Sequence, residues 1–507
     1  MTTTTPSPRH RIGWGFAGLA TGYAGLAASV LTAAAMGVRV NPVAGVAEAI
    51  IRITPGSLAE RAIAVVGTYD KTILVIGILV FLTVAFWYAG RAAEHSVGRP
   101  QVVFLGLAAV GGLAALTGAN SQPTDVIPVF VGGVVWLALL PWLTQPLRDS
   151  LAAGHGSRRT FLVRAGVVVA GAAVLGAVGR MVGRGRRQVE ATRRLLKLPI
   201  SLSAEPAGAL LAVDGLQPWL TPNDAFYQIH TAVVVPAIDP KQWSLRIHGL
   251  VDHEMTLSFQ DLLDRHLTEA WVTLNCVSNE VGGDLIGNAW WSGVRIADVL
   301  AQAGVQKGAD AVLQTSEDGW TCGTPLEALT DDRNAMLALG MNGQPLPIEH
   351  GFPVRMVVPG LYGYVSATKW LVDLEVTRFA DFQAYWTQRG WSERGPVKLA
   401  SRIDVPRSGQ GVKAGSVVVA GSAWRQHTGV QAVEVSLDGG AWQPMTLSRP
   451  PSNDTWVQWS GAVDAGPGDH ELRVRATDRT GDTQTGVLRD VVPDGATGWH
   501  TIEFSAE

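Results

Sequence analysis

Five apolar runs crowd into the first 182 residues, and no other feature restricts so strongly what this 507-residue chain can fold into. They cover residues 14–38, 72–90, 102–119, 126–144 and 161–182. Each is about as long as the roughly 20 residues a helix needs to cross the hydrocarbon core of a bilayer. Five such runs in so short a stretch leave too little chain to bury them in a soluble core. Only the last is interrupted, by Arg164 and Arg180 near its ends, where long side chains reach back to water. Composition agrees: hydrophobic residues make up 47% and charged residues 16% of the chain, where soluble domains carry about 25% charged residues. Eighteen Trp suit membrane interfaces and broad aromatic cores. The expectation is an all-α transmembrane region over residues 1–198 of a multi-pass cell-membrane protein, with membrane lipid as a partner. The net charge of −3 supplies no argument for a nucleic acid, and none is expected.

Five spans place the two ends of the region on opposite sides. Just before the fifth lies Ser157-Arg158-Arg159-Thr160-Phe161-Leu162. It resembles the twin-arginine export signal, whose pathway carries proteins already folded around their cofactors. An ordinary basic flank is the other reading, and both put residues 145–160 on the inner side and send the C-terminal part outward. Arg9, Arg11, Arg91, Arg99, Arg148, Arg158 and Arg159 then fall inside, as positive charge prefers. Arg180, Arg184, Arg186, Arg187, Arg193, Arg194 and Lys197 run against that preference, since they follow the fifth span.

Beyond residue 198, turn residues, charges and short alternating segments replace the apolar runs. Residues 205–380 mix β-type stretches (271–274, 312–315, 354–358) with helical ones (259–265, 296–303). From 397 to 507 the pattern is short strands at 416–420, 432–437, 456–459 and 471–476, with Asp438-Gly439-Gly440 as a hairpin turn. That spacing suggests an immunoglobulin-like β-sandwich. The tract 378–395, rich in Arg, Gln and Trp, joins the two parts.

Only two cysteines occur, Cys276 and Cys322, too few for a disulfide framework or a four-cysteine metal site. Cys276 ends a β-type run, Trp271-Val272-Thr273-Leu274-Asn275-Cys276, and a polar loop with Ser278, Asn279 and Glu280 follows. A thiolate is a soft ligand suited to transition metals, and a strand end is well placed to present it to a cleft. A lone cysteine is otherwise an inert buried residue.

The segments around Cys276 change that reading. Thr273 to Asn279, followed by Gly287-Asn288-Ala289-Trp290-Trp291-Ser292-Gly293-Val294, resembles the metal-binding segment of the sulfite oxidase family of molybdopterin enzymes. Thr221-Pro222-Asn223-Asp224-Ala225-Phe226-Tyr227 is similar to that family's early cofactor-contact stretch. Met341 to Pro347 with His350 to Pro359 is similar to its central motif, and Ser366-Ala367-Thr368-Lys369-Trp370 to the stretch that closes on the pterin phosphate. Ala423-Trp424 and Val433 to Asp438 resemble the C-terminal dimerisation domain.

The resemblance covers about residues 215–490 and implies a multi-domain chain. Its parts are the transmembrane region, an α+β sulfite-oxidase-type molybdopterin domain, and the immunoglobulin-like β-sandwich, through which a homodimer could form. It implies a molybdenum-molybdopterin cofactor with Cys276 on the metal. Asn223, Phe226 and Tyr227 would line the pterin, with His230 beside them. Thr315 or Ser316 would touch it near the metal. His350 and Arg355 would hold its polar ring and phosphate, and Ser366, Thr368 and Lys369 would complete the phosphate site. Charge and donor chemistry agree, since a phosphate wants cations and hydroxyls and Arg offers a two-pronged contact. Read without the motif, Arg355 could instead pair with Asp373 or Glu375 on the surface.

The sequence departs from the family where sulfite oxidases place arginines near the metal. One such position holds Glu280, and another falls at Tyr364 and Val365. A carboxylate beside an incoming dianion is repulsive by about 1–4 kcal/mol at ~4 Å, depending on screening. Sulfite is therefore not the expected substrate. A neutral small molecule such as a sulfoxide or N-oxide is, with Glu280 as a catalytic group handling protons together with Asp284; the other reading makes both carboxylates solvated loop residues. No Cys-x-x-Cys-His haem motif occurs, and none of the eleven His lies in an expected span. A separate electron-transfer partner, a cytochrome or a quinone system, is expected. The reading from a different class is a membrane-tethered binding or assembly protein with a degenerate cofactor site.

Overall fold

The structure, a computed structural model, describes residues 8–38, 40–55, 58, 69–96, 98–118, 121–153, 158–182 and 185–507. Ser157 of the twin-arginine-like segment and Ala119 of the third expected span lie outside the described residues. Backbone contacts divide the chain into two compact units, Met1–Val189 with Thr231–Pro236, and Glu190–His230 with Ala237–Glu507.

In the first unit, five helical stretches are long and apolar enough to cross a membrane: Ile12–Met36, Asp70–Ala92, Gly98–Leu116, Pro123–Asp149 and Arg159–Gly176. Their inward faces form a core of Trp14, Phe86, Phe104, Trp136 and Leu143. The outward faces leave Ile76, Phe81, Val102, Leu113 and Val167 exposed, an apolar exterior of the kind that lipid covers. Without a hydrophobic drive between helices in lipid, close approach depends on small residues. A Cβ at Gly18 would collide with the Phe86 carbonyl, and one at Gly90 with the Trp14 carbonyl. The Trp136 indole N–H donates to Gly22 O at 2.9 Å. The helix Pro42–Ile53 was not foreseen from the sequence. At about 1.5 Å per residue its 12 residues are too short to span.

The second unit begins with two sheets. One has the order β2-β1-β10-β5-β6, made of β1 (Ser244–Gly249), β2 (Met255–Ser258), β5 (Ala311–Ser316), β6 (Thr321–Pro325) and β10 (Leu371–Thr377). Its β1–β10 pair is parallel and the rest antiparallel. The other has the order β3-β4-β7-β8, made of β3 (Thr268–Asn275), β4 (Ile286–Arg295), β7 (Met336–Met341) and β8 (Gln344–Pro345), with β9 (Arg355–Val357) also on β7. Helices Phe259–Leu263 and Ile296–Ala303 form where the sequence suggests them, the second closed by Gly304 at φ +72°.

Two further sheets follow, sharing a core of Val419, Trp459, Val474 and Phe504. Their orders are β11-β13-β17-β16 and β12-β19-β18-β14-β15. The strands are β11 (Ala400–Val405), β12 (Gly411–Val412), β13 (Gly415–Trp424), β14 (Val430–Leu437), β15 (Gln443–Pro444), β16 (Thr446–Leu447), β17 (Val457–Ala465), β18 (Gly468–Asp478) and β19 (His500–Ala506). Asp438 and Gly439 both take positive φ, 52° and 71°, and Gly440 N–H donates to Leu437 O at 2.8 Å, a tight turn inside the five-residue connection from β14 to β15.

This two-sheet part belongs to the same compact unit as the preceding sheets. The contacts explain why. Strand β3 ends its sheet, and its free edge is satisfied by the C-terminal part: Thr273 N–H donates to Asp454 O at 2.9 Å. Gln426 donates to Thr273 O at 3.2 Å, and Trp456 N–H to Thr273 Oγ1 at 2.8 Å.

Candidate functional site

Cys276 follows β3 directly, and residues 271–276 are all buried. The loop to β4 closes on itself. Cys276 N–H donates to Leu285 O at 2.9 Å and Asn279 N–H to Cys276 O at 3.1 Å. The Asn279 side chain accepts from Leu285 N–H at 2.9 Å. Cys276 is 8% exposed and free of any disulfide. Burial pushes its thiol pKa up, while donors from Ser278 and Val277 and the positive charge of Lys369 pull it down. The sulfur thus sits where a thiolate is hydrogen-bonded but expensive to keep without a further positive partner.

Around it the chain gathers residues from four separate segments. Asn342, at φ 52°, bonds Thr221 O at 3.0 Å and Asn223 Oδ1 at 2.8 Å, fixing the stretch 221–227. Phe226 stacks on Tyr227 (5.1 Å between centroids) and meets Trp291 and His350 edge-on at 5.8 and 5.6 Å. Burial, reinforced by the nearby Cys276 thiolate, holds the Tyr227 phenol well above its usual range, so it stays a donor. His350 Nε2 lies 2.9 Å from Asn223 O, a pure acceptor, so that nitrogen carries the hydrogen. Burial first, then Lys369 and Arg355, hold the His350 pKa down to about 3. The ring is neutral, and among the described residues its buried Nδ1 lone pair has no partner.

Arg355 on β9 is 3% exposed. Among the described residues its guanidinium donates to carbonyls: Met356 O at 3.4 Å, His350 O at 3.2 Å and Ala367 O at 3.4 Å. It also lies over the Trp291 ring, 5.0 Å from the centroid. Among the described residues no carboxylate pairs with it: neither Asp373, which meets His248 at 3.0 Å, nor Glu375 forms an ion pair with Arg355. Burial lowers its pKa to about 10. Gly351, at φ +108°, lets this group approach Lys369, since a Cβ there would sit 3.0 Å from Arg355 Cβ and 3.1 Å from Lys369 Cα.

The remaining residues singled out from the sequence divide. Ser366 and Thr368 are fully buried and stand on either side of Ala367. Ser366 spends its hydroxyl on Tyr362 O at 2.9 Å, and Thr368 Oγ1 contacts Cys322 Sγ at 3.2 Å. His230 packs edge-on against Trp370 at 5.7 Å. Thr315 is displaced from the expected place. Gln314 pairs with Cys322 across β5–β6, so Gln314 and Ser316 share the face turned to Thr368, and Thr315 points the other way with Asp373. Strand alternation makes this a matter of parity. Ser316 is 1% exposed, and its hydroxyl has no partner among the described residues. Glu280 and Asp284 are exposed on the loop after Cys276, and among the described residues no hydrogen bond or ion pair fixes the Glu280 carboxylate. Tyr364 turns its hydroxyl to Ser392 O at 2.8 Å and its ring to Trp391.

Sequence reasoning passed over two contributors: Trp291 as the ring beneath Arg355, and Asn342 as the pin for residues 221–223. Both lay inside the motifs, and Asn342 precedes a glycine, the mark of a left-handed turn.

A family model for the oxidoreductase molybdopterin binding domain matches residues 232–386. The chain is 37% identical over 171 residues to the uncharacterized oxidoreductase YuiH of Bacillus subtilis, which is 34% of this chain and 83% of that protein. It belongs to the sulfite oxidase family of molybdopterin-dependent oxidoreductases. Human mitochondrial sulfite oxidase is 32% identical over 321 residues, 54% of this chain. The chain spans 57% of that human relative's own length. The fold is similar to the sulfane dehydrogenase SoxCD of Paracoccus pantotrophus, with a TM-score of 0.50 and 24% identity over 57% of this chain and 84% of that one.

A member of this family takes a molybdenum-molybdopterin cofactor. The residues present fit that group. A buried guanidinium without a carboxylate asks for an anion, the neutral His350 offers an unpartnered acceptor, and Tyr227 offers a donor.

Proposed function

We propose that this chain is a membrane-anchored molybdenum oxidoreductase catalysing two-electron oxo transfer, with Cys276 as the protein ligand to the metal. The observation that carries this reading is the convergence of five residues, with Tyr227 in the field of Cys276 and Arg355, Cys276 in that of Lys369, and His350 in that of Lys369 and Arg355. The bound cofactor supplies the two-electron redox change and the oxo exchange. The chain's own residues bind and shield it. Arg355 and Lys369 neutralise the phosphate, with Ser366 and Thr368 shaping the backbone between them and Ser316, in place of Thr315, offering a hydroxyl. His350 accepts an N–H or O–H of the pterin through Nδ1, Asn223 holds His350 in that tautomer, and Phe226 and Trp291 exclude water. Tyr227 donates its O–H into the site.

The substrate reading follows from charge. Glu280 brings a carboxylate where the family's arginine would attract sulfite, and the Tyr364 hydroxyl is spent on a backbone carbonyl. A neutral S-oxide or N-oxide fits better, with Glu280 handling protons. The proposed organisation is a transmembrane region at 1–198, a molybdopterin domain at 205–380 and an immunoglobulin-like part at 397–507. The catalytic unit lies outside the cytoplasm and exchanges electrons with a separate cytochrome or quinone partner.

The test is a panel of S-oxides and N-oxides reduced with an artificial electron donor, run beside sulfite oxidation and metal analysis. About one molybdenum per chain with turnover of a neutral oxide is expected. Sulfite oxidation as the fastest reaction would overturn the substrate reading. Absence of molybdenum after molybdate-replete growth would favour the binding or assembly protein instead.

A further inference from the structure

Residues 281–283, in the loop that follows Cys276, lie against the C-terminal part of the chain one after another, at Gly498 just before β19, at His500 and at Arg402. Val281 Cγ2 lies 3.5 Å from where a Cβ on Gly498 would stand. Gly282, at φ +78°, lies under the imidazole of His500, which a Cβ there would strike. The carbonyl of Gly283 accepts from Arg402 Nη1 at 2.8 Å.

Arg402 is on β11 and is 3% exposed. Its other donors go to Asp404 Oδ1 (Nε, 2.8 Å) and Gln217 Oε1 (Nη2, 2.8 Å). One guanidinium therefore joins three stretches: its own strand, the segment before the pterin-side motif, and the Cys276 loop. His500 completes the arrangement, since its Nδ1 accepts from Ile403 N–H at 2.9 Å, next to Arg402.

Burying both members of an ion pair, here at 4% and 6% side-chain exposure, adds little stability over apolar residues of the same volume. Such a pair earns retention where it fixes geometry. Arg serves this better than Lys, because its donors form a rigid fork while an ammonium is a point charge. The loop transmits the constraint. Gly283 N–H donates to Glu280 O at 3.0 Å, and the closures through Asn279 and Leu285 end on the backbone of Cys276.

We propose that Arg402 is a positioning residue, acting from the C-terminal sheets to hold the 276–285 loop and so to aim the Cys276 sulfur into the cofactor site. Its bearing on turnover rests on Cys276 as the metal ligand. Its effect on the loop does not.

The experiment uses the full-length chain in a Cys322→Ser background, produced without molybdopterin. It reads the rate at which a thiol reagent labels Cys276 and the amide hydrogen exchange of residues 277–285. Arg402→Gln and Arg402→Lys should both label at least tenfold faster, with protection lost at the Asn279, Gly283 and Leu285 amides and unchanged exchange in β13 and β18. Arg402→Lys keeps a charge beside Asp404, so it carries the test if Arg402→Gln fails to fold. Labelling and loop exchange within twofold of the parent in Arg402→Lys would overturn the proposal. So would protection lost equally in the loop, β13 and β18, the mark of a general stabilising role. Molybdenum retention is measured separately on Cys276→Ser. If that variant keeps its metal, the ligand assignment fails while the loop result stands.

Discussion

Replacing Arg355 with Met separates what this residue costs the fold from what it does for the cofactor. Its proton affinity falls from an ordinary value of 12.5 to about 10 on burial. At ~1.4 kcal/mol for each tenfold change, holding the charge in place costs about 3 kcal/mol at neutral pH. The cost applies wherever the group is protonated, so it is complete below pH 10 and fades only above it. Against it stand three long bonds to carbonyls and the contact with Trp291, worth together about 3 kcal/mol. The two sides nearly cancel. Cofactor-free Arg355→Met should therefore unfold within about 1–2 kcal/mol of the parent, even though a fully buried charged residue has been removed. Cofactor retention behaves differently. Losing one partner of a buried charge pair costs about 2–5 kcal/mol, so molybdenum and pterin should be depleted at least ~30-fold in dilute conditions. Denaturant unfolding of cofactor-free protein and metal analysis after purification measure the two quantities. A variant destabilised by more than about 4 kcal/mol that still carries molybdenum in full would refute the reasoning, because Arg355 would then be a structural residue.

Cys276→Ser should abolish turnover and leave the fold intact, because a hydroxyl fills the same space without a thiolate's affinity for metal. Cys322→Ser should cost no more than about 1–2 kcal/mol of stability and keep activity, its sulfur being fully buried against Thr368 and not in the cluster. His350 supplies a pH signature of the cofactor-free protein. With its folded pKa near 3 against 6.5 unfolded, its contribution is complete above pH 6.5 and is lost as pH falls from 6.5 toward 3. The loss amounts to a few kcal/mol. His350→Gln should flatten that part of the curve, measured as the difference in unfolding free energy from the parent at pH 7 and pH 4.5. Parallel curves would show that the ring is solvated.

Local pattern alone determined much of this protein. Hydrophobic length is a property of contiguous residues, so the five apolar helices appear where the runs lie, with ends shifted by a few residues. The strands around Cys276 follow from short apolar, β-branched and aromatic runs and the helix Ile296–Ala303 from helical spacing, for the same reason. The motif order was enough to nominate Asn223, Phe226, Tyr227, His350, Arg355 and Lys369, and the fold does bring them together.

Other matters depended on partners far along the chain. Thr315 and Ser316 are equivalent as sequence, and only the register of β5 against β6 and β10 turns the second toward Thr368. Whether Arg355 meets a carboxylate depends on the fold: among the described residues neither Asp373, which pairs with His248, nor Glu375 reaches the guanidinium. The C-terminal strands were legible as strands, but their hold on Thr273 and on the Gly282–Gly283 turn was not. Hydrogen bonds across so many residues carry no periodicity, and chain folding alone decides which edge of β3 they close.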